Sequence, residues 1–274
     1  MQFLNVHGAK IPALGLGTWR LRGRTCHDMV RFALEIGYRH IDTAAIYGNE
    51  EDVGAGLAAS GIAREEIFLT TKVWSSSLSH EAVLRGADES LKRLGTDYID
   101  LFLIHWPSRS VPLAETLGAM SELQANGKIR HIGVSNFNVA LMREAIETLK
   151  VPIVANQVEY HPYLSQNRVL DYCQRAGITL AAYCPVAEGH AAKDKTLRRI
   201  GAKYDRSAAE VALRWLLHQD MVSVIPMTAN PDHCRVNLSV FDFSLDPEDR
   251  AAIASMATGL RLVDMHSGHP WDPD

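Results

Sequence analysis

The chain has 274 residues, of which 47% are hydrophobic and 22% are charged, and this is enough to bury the core of one large domain. Its 28 Lys and Arg residues nearly balance 32 Asp and Glu residues, and the formal net charge is −4. No run of like charge indicates a nucleic-acid surface or a polybasic membrane patch, so we expect a small molecule as the partner.

No segment has the ~18 apolar residues of a membrane helix, and the first residues do not read as a leader peptide, so we expect a cytoplasmic protein. The cysteines Cys26, Cys173, Cys184 and Cys234 are far apart and lack the spacing of zinc ligands. We predict that they are buried, reduced thiols and that the chain holds no metal. Nothing in the sequence indicates an obligate interface, and a monomer is expected.

Short runs rich in β-branched residues predict eight strands, at residues 13–17, 38–42, 67–71, 99–105, 129–134, 153–158, 178–183 and 222–226. Amphipathic patterns between and after them predict helices at residues 27–36, 51–59, 79–94, 113–126, 139–149, 167–176, 194–204, 208–219 and 247–256. Glycines are placed where five of these helices are expected to end, at Gly37, Gly61, Gly95, Gly127 and Gly177.

This alternation, with strands too apolar to have one wet face, predicts a parallel sheet covered by helices. The strand count favours a (β/α)8 barrel that forms a single domain over residues 1–274. A doubly wound open sheet would instead place a GxGxxG loop after the first strand. Here Gly15 and Gly17 are followed by Arg20 in place of the third glycine. We therefore interpret this segment as the end of a barrel strand.

The last segment, residues 258–274, contains His266, His269 and Trp271 and has no clear period. Two interpretations stay open for it. It could be disordered, or it could fold over one mouth of the barrel.

Polar side chains follow three neighbouring predicted strands. Asp42 ends the second strand and Tyr47 comes soon after it, Lys72 follows the third strand, and His105 ends the fourth. Singly, each could be a helix cap, a packed aromatic, a surface lysine or a satisfied core histidine. Together they are harder to explain in this way, because a lysine and an aspartate are costly to bury unless they pair. Since the carboxyl ends of barrel strands carry active sites, we predict that these four form one site.

Hydride transfer to a carbonyl group would use all four side chains. Negative charge develops on the carbonyl oxygen during such a transfer, and a positioned acid supplies a proton. Tyr47 is a weak acid with an ordinary pKa of ~10, which the Lys72 ammonium would lower while Asp42 holds that ammonium in place. His105 would orient the carbonyl oxygen through a hydrogen bond.

Seven segments resemble the aldo-keto reductases: GLGTW at 15–19, GYRHIDTAAIYGNE at 37–50, LTTKVW at 69–74, DYIDLFLIHWP at 97–107, GKIRHIGVSNF at 127–137, NQVEYHP at 156–162, and SVIP with its following loop at 223–237. The resemblance covers nearly the whole chain and is strongest to short bacterial members that reduce 2,5-diketo-gluconate or methylglyoxal. It implies the same barrel and the NAD(P)H-dependent reduction of small aldehydes and ketones, including dicarbonyls and keto-sugar acids.

The resemblance also implies residue roles. Asp42, Tyr47, Lys72 and His105 match the catalytic tetrad, with Tyr47 as the general acid. The substrate pocket would consist of Tyr47 and His105 with the tryptophans Trp19, Trp74 and Trp106. The nicotinamide would stack on Tyr183, and its carboxamide would bind Ser135, Asn136 and Gln157. The other cofactor positions implied are Thr18, Trp19, Asp42, Pro226, Met227, Thr228, His233 and Asn237.

The chain departs from the family pattern at two places. Residues 184–187 read Cys-Pro-Val-Ala where the family has Ser-Pro-Leu-Gly, in the loop beneath the pyrophosphate. Met227 and His233 replace the lysine and arginine that grip the 2′-phosphate of NADPH in the family. Asn230 and Pro231 predict a helix N-terminus that would still face this phosphate. We therefore expect NADPH to be preferred only weakly, with NADH a workable donor.

Two other functions would account for some of the same residues. A non-catalytic barrel could bind the nucleotide and act as a regulatory subunit, although it would have no need of a tuned acid at Tyr47. A barrel lyase or aldolase could use Lys72 as a Schiff-base amine, but Tyr47 and Asp42 would then lack a role.

Overall fold

The computed structural model describes residues 2–265 and 268–273. Its strands in these ranges are β1 (Phe3–Val6), β2 (Ala9–Pro12), β3 (Leu16–Gly17), β4 (His40–Asp42), β5 (Phe68–Val73), β6 (Ile99–Ile104), β7 (Ile129–Ser135), β8 (Ile153–Glu159), β9 (Thr179–Tyr183) and β10 (Val222–Val224). All eight strands expected from the sequence are among them, and the additional pair is β1 and β2.

The helices are α1 (Gly23–Glu35), α2 (Glu50–Ala59), α3 (His80–Leu94), α4 (Leu113–Ala125), α5 (Val139–Arg143), α6 (Asn167–Ala176), α7 (His190–Lys193), α8 (Lys195–Tyr204), α9 (Ala208–Leu217), α10 (Pro231–Leu238) and α11 (Pro247–Ala254). Short 3-10 turns lie at Ala45–Tyr47, Arg64–Glu66, Ala187–Gly189 and Ser239–Phe241. None of the helices in the described ranges is long and apolar enough to cross a membrane.

Strands β3 to β10 form one parallel sheet in chain order, as the sequence predicts. The sheet closes where β3 meets β10, because Gly15 N donates to Val224 O at 2.9 Å and Gly17 N donates to Pro226 O at 3.1 Å. Val224 N in turn donates a hydrogen bond to Ala13 O at 2.8 Å. The fold is therefore a (β/α)8 barrel, with helices packed around a core of strand residues such as Leu69 and Phe102.

The glycines of the GLG segment allow this closure. A Cβ atom on Gly17 would lie 2.8 Å from Ile225 O, and one on Gly15 would lie 2.7 Å from Nδ1 of His40. Because neither distance accommodates a side chain, the segment needs glycine for close strand approach. Its interpretation as a barrel strand end, and not as a dinucleotide loop, is confirmed.

Two features differ from the sequence expectations. The helix predicted at 139–149 is α5 followed by a π-helical turn at Glu144–Thr148, in which Leu149 N donates to Glu144 O, five residues back, at 2.9 Å. The strands β1 and β2 form a hairpin that the sequence analysis missed, turning at His7 and Gly8 with φ of 44° and 87°. A two-residue turn containing glycine was the available signal.

This hairpin closes the amino end of the barrel. Val6, Ala9 and Ile11 are buried against side chains of the barrel interior, which include Phe68 and Leu103. With that end filled by apolar side chains, the described residues leave a ligand access from the opposite end, where the strands terminate.

Candidate active site

Three neighbouring strand ends at the open mouth carry the four residues singled out in the sequence. Asp42 is the last residue of β4, and Tyr47 ends the 3-10 turn that follows it. Lys72 lies near the end of β5, and His105 comes directly after β6. Because β4, β5 and β6 are adjacent in the sheet, the parallel register brings the four side chains together.

Lys72 and Asp42 form a fully buried ion pair. Lys72 Nζ donates to Asp42 Oδ1 at 2.5 Å and to the carbonyl oxygen of Thr43 at 2.8 Å, and its side chain is 0% exposed. The second carboxylate oxygen of Asp42 accepts a 2.7 Å bond from Gln157 Nε2. Both oxygens of the carboxylate are therefore bonded, which compensates the cost of burying the two charges.

The ammonium lies beside Tyr47, 5.1 Å from the centre of the phenol ring. Burial raises the pKa of Tyr47, the Lys72 ammonium lowers it, and Asp42 raises it, so that the net pKa lies above the ordinary value of 10.0. The prediction from the sequence that Lys72 lowers the pKa of Tyr47 below its ordinary value is therefore wrong, because burial outweighs the ammonium. In the protein, Tyr47 is therefore a protonated phenol at neutral pH.

The pKa values of Lys72 and His105 shift in opposite directions. Burial lowers the pKa of Lys72, but Asp42 and Tyr47 outweigh burial and the net pKa is raised, so the amine stays charged. Burial lowers the pKa of His105 well below 6.5, and the Lys72 ammonium acts in the same direction. His105 is therefore a neutral imidazole, held between the rings of Tyr47 and Trp74 at centroid distances of 5.6 and 5.0 Å. Its Nδ1 is buried without a hydrogen-bond partner among the described residues.

A second polar group continues around the mouth from β7 to β9. Ser135 Oγ donates to Gln157 O at 2.8 Å, and Asn136 Nδ2 donates to His105 O at 2.9 Å. The Tyr183 hydroxyl donates to Asn136 Oδ1 at 2.8 Å. These side chains hold one another in fixed orientations next to the Lys72–Asp42 pair.

A cavity of about 860 Å³ opens above these residues. Most residues singled out in the sequence line it: Thr18, Trp19, Asp42, Tyr47, Trp74, His105, Trp106, Asn136, Gln157, Tyr183, Pro226, Met227, His233 and Asn237. Lys72 and Ser135 do not line it because they are fully buried beneath it. Thr228 does not line it either, and its Oγ1 accepts the backbone N–H of Asn230 at 3.0 Å within the loop.

Sequence reasoning missed one wall of this cavity. Residues 207–210, at the start of α9, line it, and Ser207 and Glu210 form a reciprocal capping box there. The S-x-x-E spacing is a known signal for a helix N-terminus and could have been found. Cys184 also lines the cavity and is half-buried, so the expectation that every cysteine is buried is wrong for this one.

The predicted helix N-terminus after β10 is present. Asn230 Oδ1 accepts the backbone N–H of Asp232 at 2.8 Å, and Pro231 occupies the first position of α10. His233 lines the cavity, whereas the guanidinium of Arg235 stacks on Phe32 at 4.6 Å. Arg235 therefore does not line the cavity, and its guanidinium is directed at Phe32.

The carboxyl-terminal segment folds over the mouth, which decides between the two interpretations of the tail. Trp271 packs edge-on against Trp106 with ring centres 5.9 Å apart, and the Arg261 guanidinium lies 3.8 Å from the Trp271 ring. Asp272 Oδ2 accepts the backbone N–H of Val139 at 2.8 Å. His266 lies outside the described residues.

Comparison with known proteins gives consistent matches over the whole barrel. Residues 13–258 match the sequence model of the Aldo/keto reductase family. The chain is 42% identical over 266 residues to methylglyoxal reductase DkgB of Salmonella typhimurium, covering 96% of this chain and 99% of that protein. It is 41% identical over 257 residues to glyoxal reductase of Bacillus subtilis, covering 93% and 92%.

A solved structure described as a candidate 2,5-diketo-D-gluconic acid reductase B has the same fold. Its TM-score is 0.96 at 45% identity, and the alignment covers 100% of this chain and 98% of that one. The likeness thus includes both the barrel and the segments that surround its mouth.

Proposed function

Because this chain belongs to the aldo/keto reductase family, and is therefore an oxidoreductase, we propose that it reduces small aldehydes and ketones to alcohols with NAD(P)H. The substrates we propose are dicarbonyls and keto-sugar acids of the methylglyoxal and 2,5-diketo-gluconate type. One observation carries the proposal: a charged lysine, buried and paired with Asp42, lies beside the phenol of Tyr47 at the base of an open cavity.

Tyr47 is the proton donor in this proposal. A phenol with a raised pKa stays protonated at neutral pH and can donate when negative charge develops on a nearby carbonyl oxygen. The Lys72 ammonium stabilises the phenolate that this donation leaves behind. Asp42 keeps that ammonium in position, so the proton is given up next to a fixed positive charge.

His105 orients the substrate oxygen. Because its pKa lies well below 6.5, the imidazole is neutral and cannot protonate the substrate itself at neutral pH. A neutral imidazole still has one N–H to donate, which places the carbonyl oxygen close to Tyr47. Trp19, Trp74 and Trp106 supply apolar surface for the rest of the substrate.

The cavity residues fit a nicotinamide dinucleotide. An aromatic ring at Tyr183, amides at Asn136 and Gln157, and the N-termini of α9 and α10 all border one cavity. Helix N-termini bind phosphate groups through free backbone N–H groups, and in this proposal Asn136 and Gln157 hold the carboxamide of the nicotinamide. When bound, the reduced nicotinamide supplies the hydride for the carbonyl carbon.

The choice between NADPH and NADH depends on α10. His233 borders the cavity but Arg235 stacks away from it, and Asp232 adds a negative charge in the first turn of the helix. Each missing charge-assisted hydrogen bond removes roughly 1.5–3 kcal/mol of binding free energy for a 2′-phosphate. We therefore propose a weak preference for NADPH, with NADH also used.

Turnover assays on the purified protein test this function. We expect loss of reduced-nicotinamide absorbance that depends on added methylglyoxal or 2,5-diketo-gluconate, with kcat/KM measured for NADPH and NADH. Nucleotide binding without turnover would instead support the regulatory barrel, and borohydride trapping of a substrate adduct on Lys72 would support the lyase. A preference for NADPH above about a thousandfold would contradict the proposed cofactor choice.

A further inference from the structure

The part of the tail next to α11 is fastened to the loop between β8 and α6. The carbonyl oxygen of Tyr163 accepts the backbone N–H groups of Thr258 and Leu260 at 3.0 and 3.1 Å. Further along, Glu159 Oε1 accepts the N–H of Leu262 at 2.7 Å, and Oε2 accepts that of Val263 at 2.9 Å. Four backbone N–H groups of the tail are therefore held by the last residue of β8 and by the loop that follows it.

Glu159 and His161 form the buried part of this attachment, and both side chains are 0% exposed. His161 Nδ1 accepts the N–H of Tyr163 at 3.3 Å, so the proton of a neutral imidazole belongs on Nε2. Nε2 lies 3.0 Å from Glu159 Oε1 and donates to it. The Glu159 carboxylate thus receives three hydrogen bonds without contact to solvent.

The attached segment forms part of the cavity wall. Val263 and Met265 both line the cavity, and Val263 is one of the two residues held by Glu159. Trp271 packs on Trp106, which follows His105 in the chain, so the tail lies at the substrate end of the cavity. This places Glu159 one hydrogen bond away from a wall that a substrate would touch.

We propose that Glu159, supported by His161, is a positioning residue that sets substrate selectivity by clamping residues 262–263 and thereby fixing the Val263–Met265 wall. The proposal rests on the proposed carbonyl reduction. Since Tyr47 and His105 line the same cavity as this wall, we expect a small dicarbonyl held by them to make little contact with the wall, and one with a large apolar group to pack against it. Loosening the clamp therefore weakens binding of the larger substrate selectively.

The carboxylate is needed because a neutral amide makes weaker bonds. Hydrogen bonds to an ionised acceptor are roughly twice as strong as neutral ones. In Glu159→Gln, a single amide oxygen replaces two carboxylate oxygens and can accept fewer of the three hydrogen bonds. The amide NH2 group would face a backbone N–H or the imidazole N–H, and two donors cannot bond to each other. The tail segment should then detach more often while the barrel stays folded.

The test compares methylglyoxal with phenylglyoxal, which share the reacting dicarbonyl and differ in the attached group. For Glu159→Gln we expect the KM for phenylglyoxal to rise about tenfold, with a KM for methylglyoxal, a kcat and an affinity for NADPH that stay within about twofold of wild type. Hydrogen exchange of the backbone amides in residues 258–265 should become faster. This second readout does not depend on any activity.

Asp100→Asn is the matched control, since Asp100 is also a buried carboxylate that accepts a backbone N–H, from Leu69 at 3.1 Å, at the opposite end of the barrel. It should lower Tm without changing the ratio of the two KM values.

Equal KM changes for both substrates, or unchanged hydrogen exchange in residues 258–265, would overturn the proposal. If Glu159→Gln does not fold, His161→Gln is measured with the same two substrates. We expect the same selective rise in the KM for phenylglyoxal, but a smaller one. A wild-type protein that reduces neither substrate would refute the proposed function, while the exchange measurement would still decide on the clamp.

Discussion

The two sides of the cavity are built differently. The strand-end wall, formed by Asp42, Tyr47, His105 and Gln157, rises from the ends of barrel strands, and short, buried hydrogen bonds tie Asp42 to Gln157 and to Lys72. The loop wall includes Cys184, Glu188, Met227 and His233. Its first segment holds Cys184, Ala187 and Glu188 in left-handed backbone conformations with φ of 48°, 49° and 51°. The groups proposed to do the chemistry lie on strand ends or in the turn directly after one, and the groups proposed to select the cofactor lie on the loops and helix beyond them.

Burial explains why the difference matters for chemistry. On the strand-end wall, removal of water shifts the pKa of Tyr47 upward and that of His105 downward, so the environment sets which group carries a proton. On the loop wall, Met227 is 38% exposed, and residues 229–233 that follow Thr228 are exposed as well. Substitutions should therefore have large effects on the first wall and graded effects on the second.

Tyr47→Phe should have the largest effect, because it removes only the proton donor from the strand-end wall. We expect turnover to fall by about 10²–10⁴-fold while nucleotide affinity and Tm stay close to wild type. Steady-state assays with methylglyoxal and nucleotide titrations measure both quantities. Tyr172→Phe is the matched control. It also removes a tyrosine hydroxyl, but one that lies outside the cavity and donates to Glu147 Oε1 at 3.1 Å. Turnover of Tyr47→Phe similar to wild type would refute the assigned acid.

Lys72→Met should reduce both turnover and stability, because Asp42 is left buried without its cation. Breaking a buried pair from one side costs about 3–5 kcal/mol in the free energy of unfolding. Chemical denaturation measures this loss. Lys128→Met removes an exposed pair with Asp88 and should cost less than about 1 kcal/mol.

The stability difference between wild type and Lys72→Met should also depend on pH in a defined direction. The pKa of Lys72 in the folded protein is raised above 10.5, so the stabilisation is present below that pH. It is lost as the pH rises through the folded-state pKa. A difference that grows at alkaline pH would contradict the burial of a charged amine.

His233→Arg adds a charge to the loop wall and should shift cofactor choice without changing the chemistry. We expect the ratio of kcat/KM for NADPH to that for NADH to rise about tenfold, and to rise more at low salt, where the charge is less screened. The control His7→Arg adds the same charge at the exposed hairpin turn and should leave the ratio unchanged. An equal effect of both variants would show that the charge acts at long range only.

Ala187→Gly should have the smallest effect. Left-handed backbone costs a non-glycine residue about 1–2 kcal/mol, and glycine relieves this cost but gains about 0.5–1 kcal/mol of unfolded-state entropy. We expect a rise in the free energy of unfolding of less than about 1 kcal/mol. Thermal denaturation measures this rise. Asp205→Gly is the control, because it makes the same backbone change at an exposed helix end, where Asp205 has a left-handed φ of 54°. A clear loss of stability in Ala187→Gly would mean that the methyl group is needed for packing.

The sequence by itself determined the order of the elements and the candidate site. Strand and helix periods are local properties, so all eight barrel strands could be located, and Gly95 and Gly177 correctly marked the ends of α3 and α6. Asp42, Lys72 and His105 stood out because polar residues directly follow apolar runs. A parallel register then brings successive strand ends to one mouth, which is why the four residues could be expected to meet.

Only the tertiary structure decided what depends on residues far apart in the chain. It placed Ser135 and Thr228 outside the cavity wall, the start of α9 within it, and residues 262–263 on Glu159, more than one hundred positions earlier in the chain. It also gave Tyr47 a net pKa above 10.0, because burial depends on every element packed around the ring. Local patterns specify which elements form, whereas water exclusion and contacts between distant segments are set only when those elements pack.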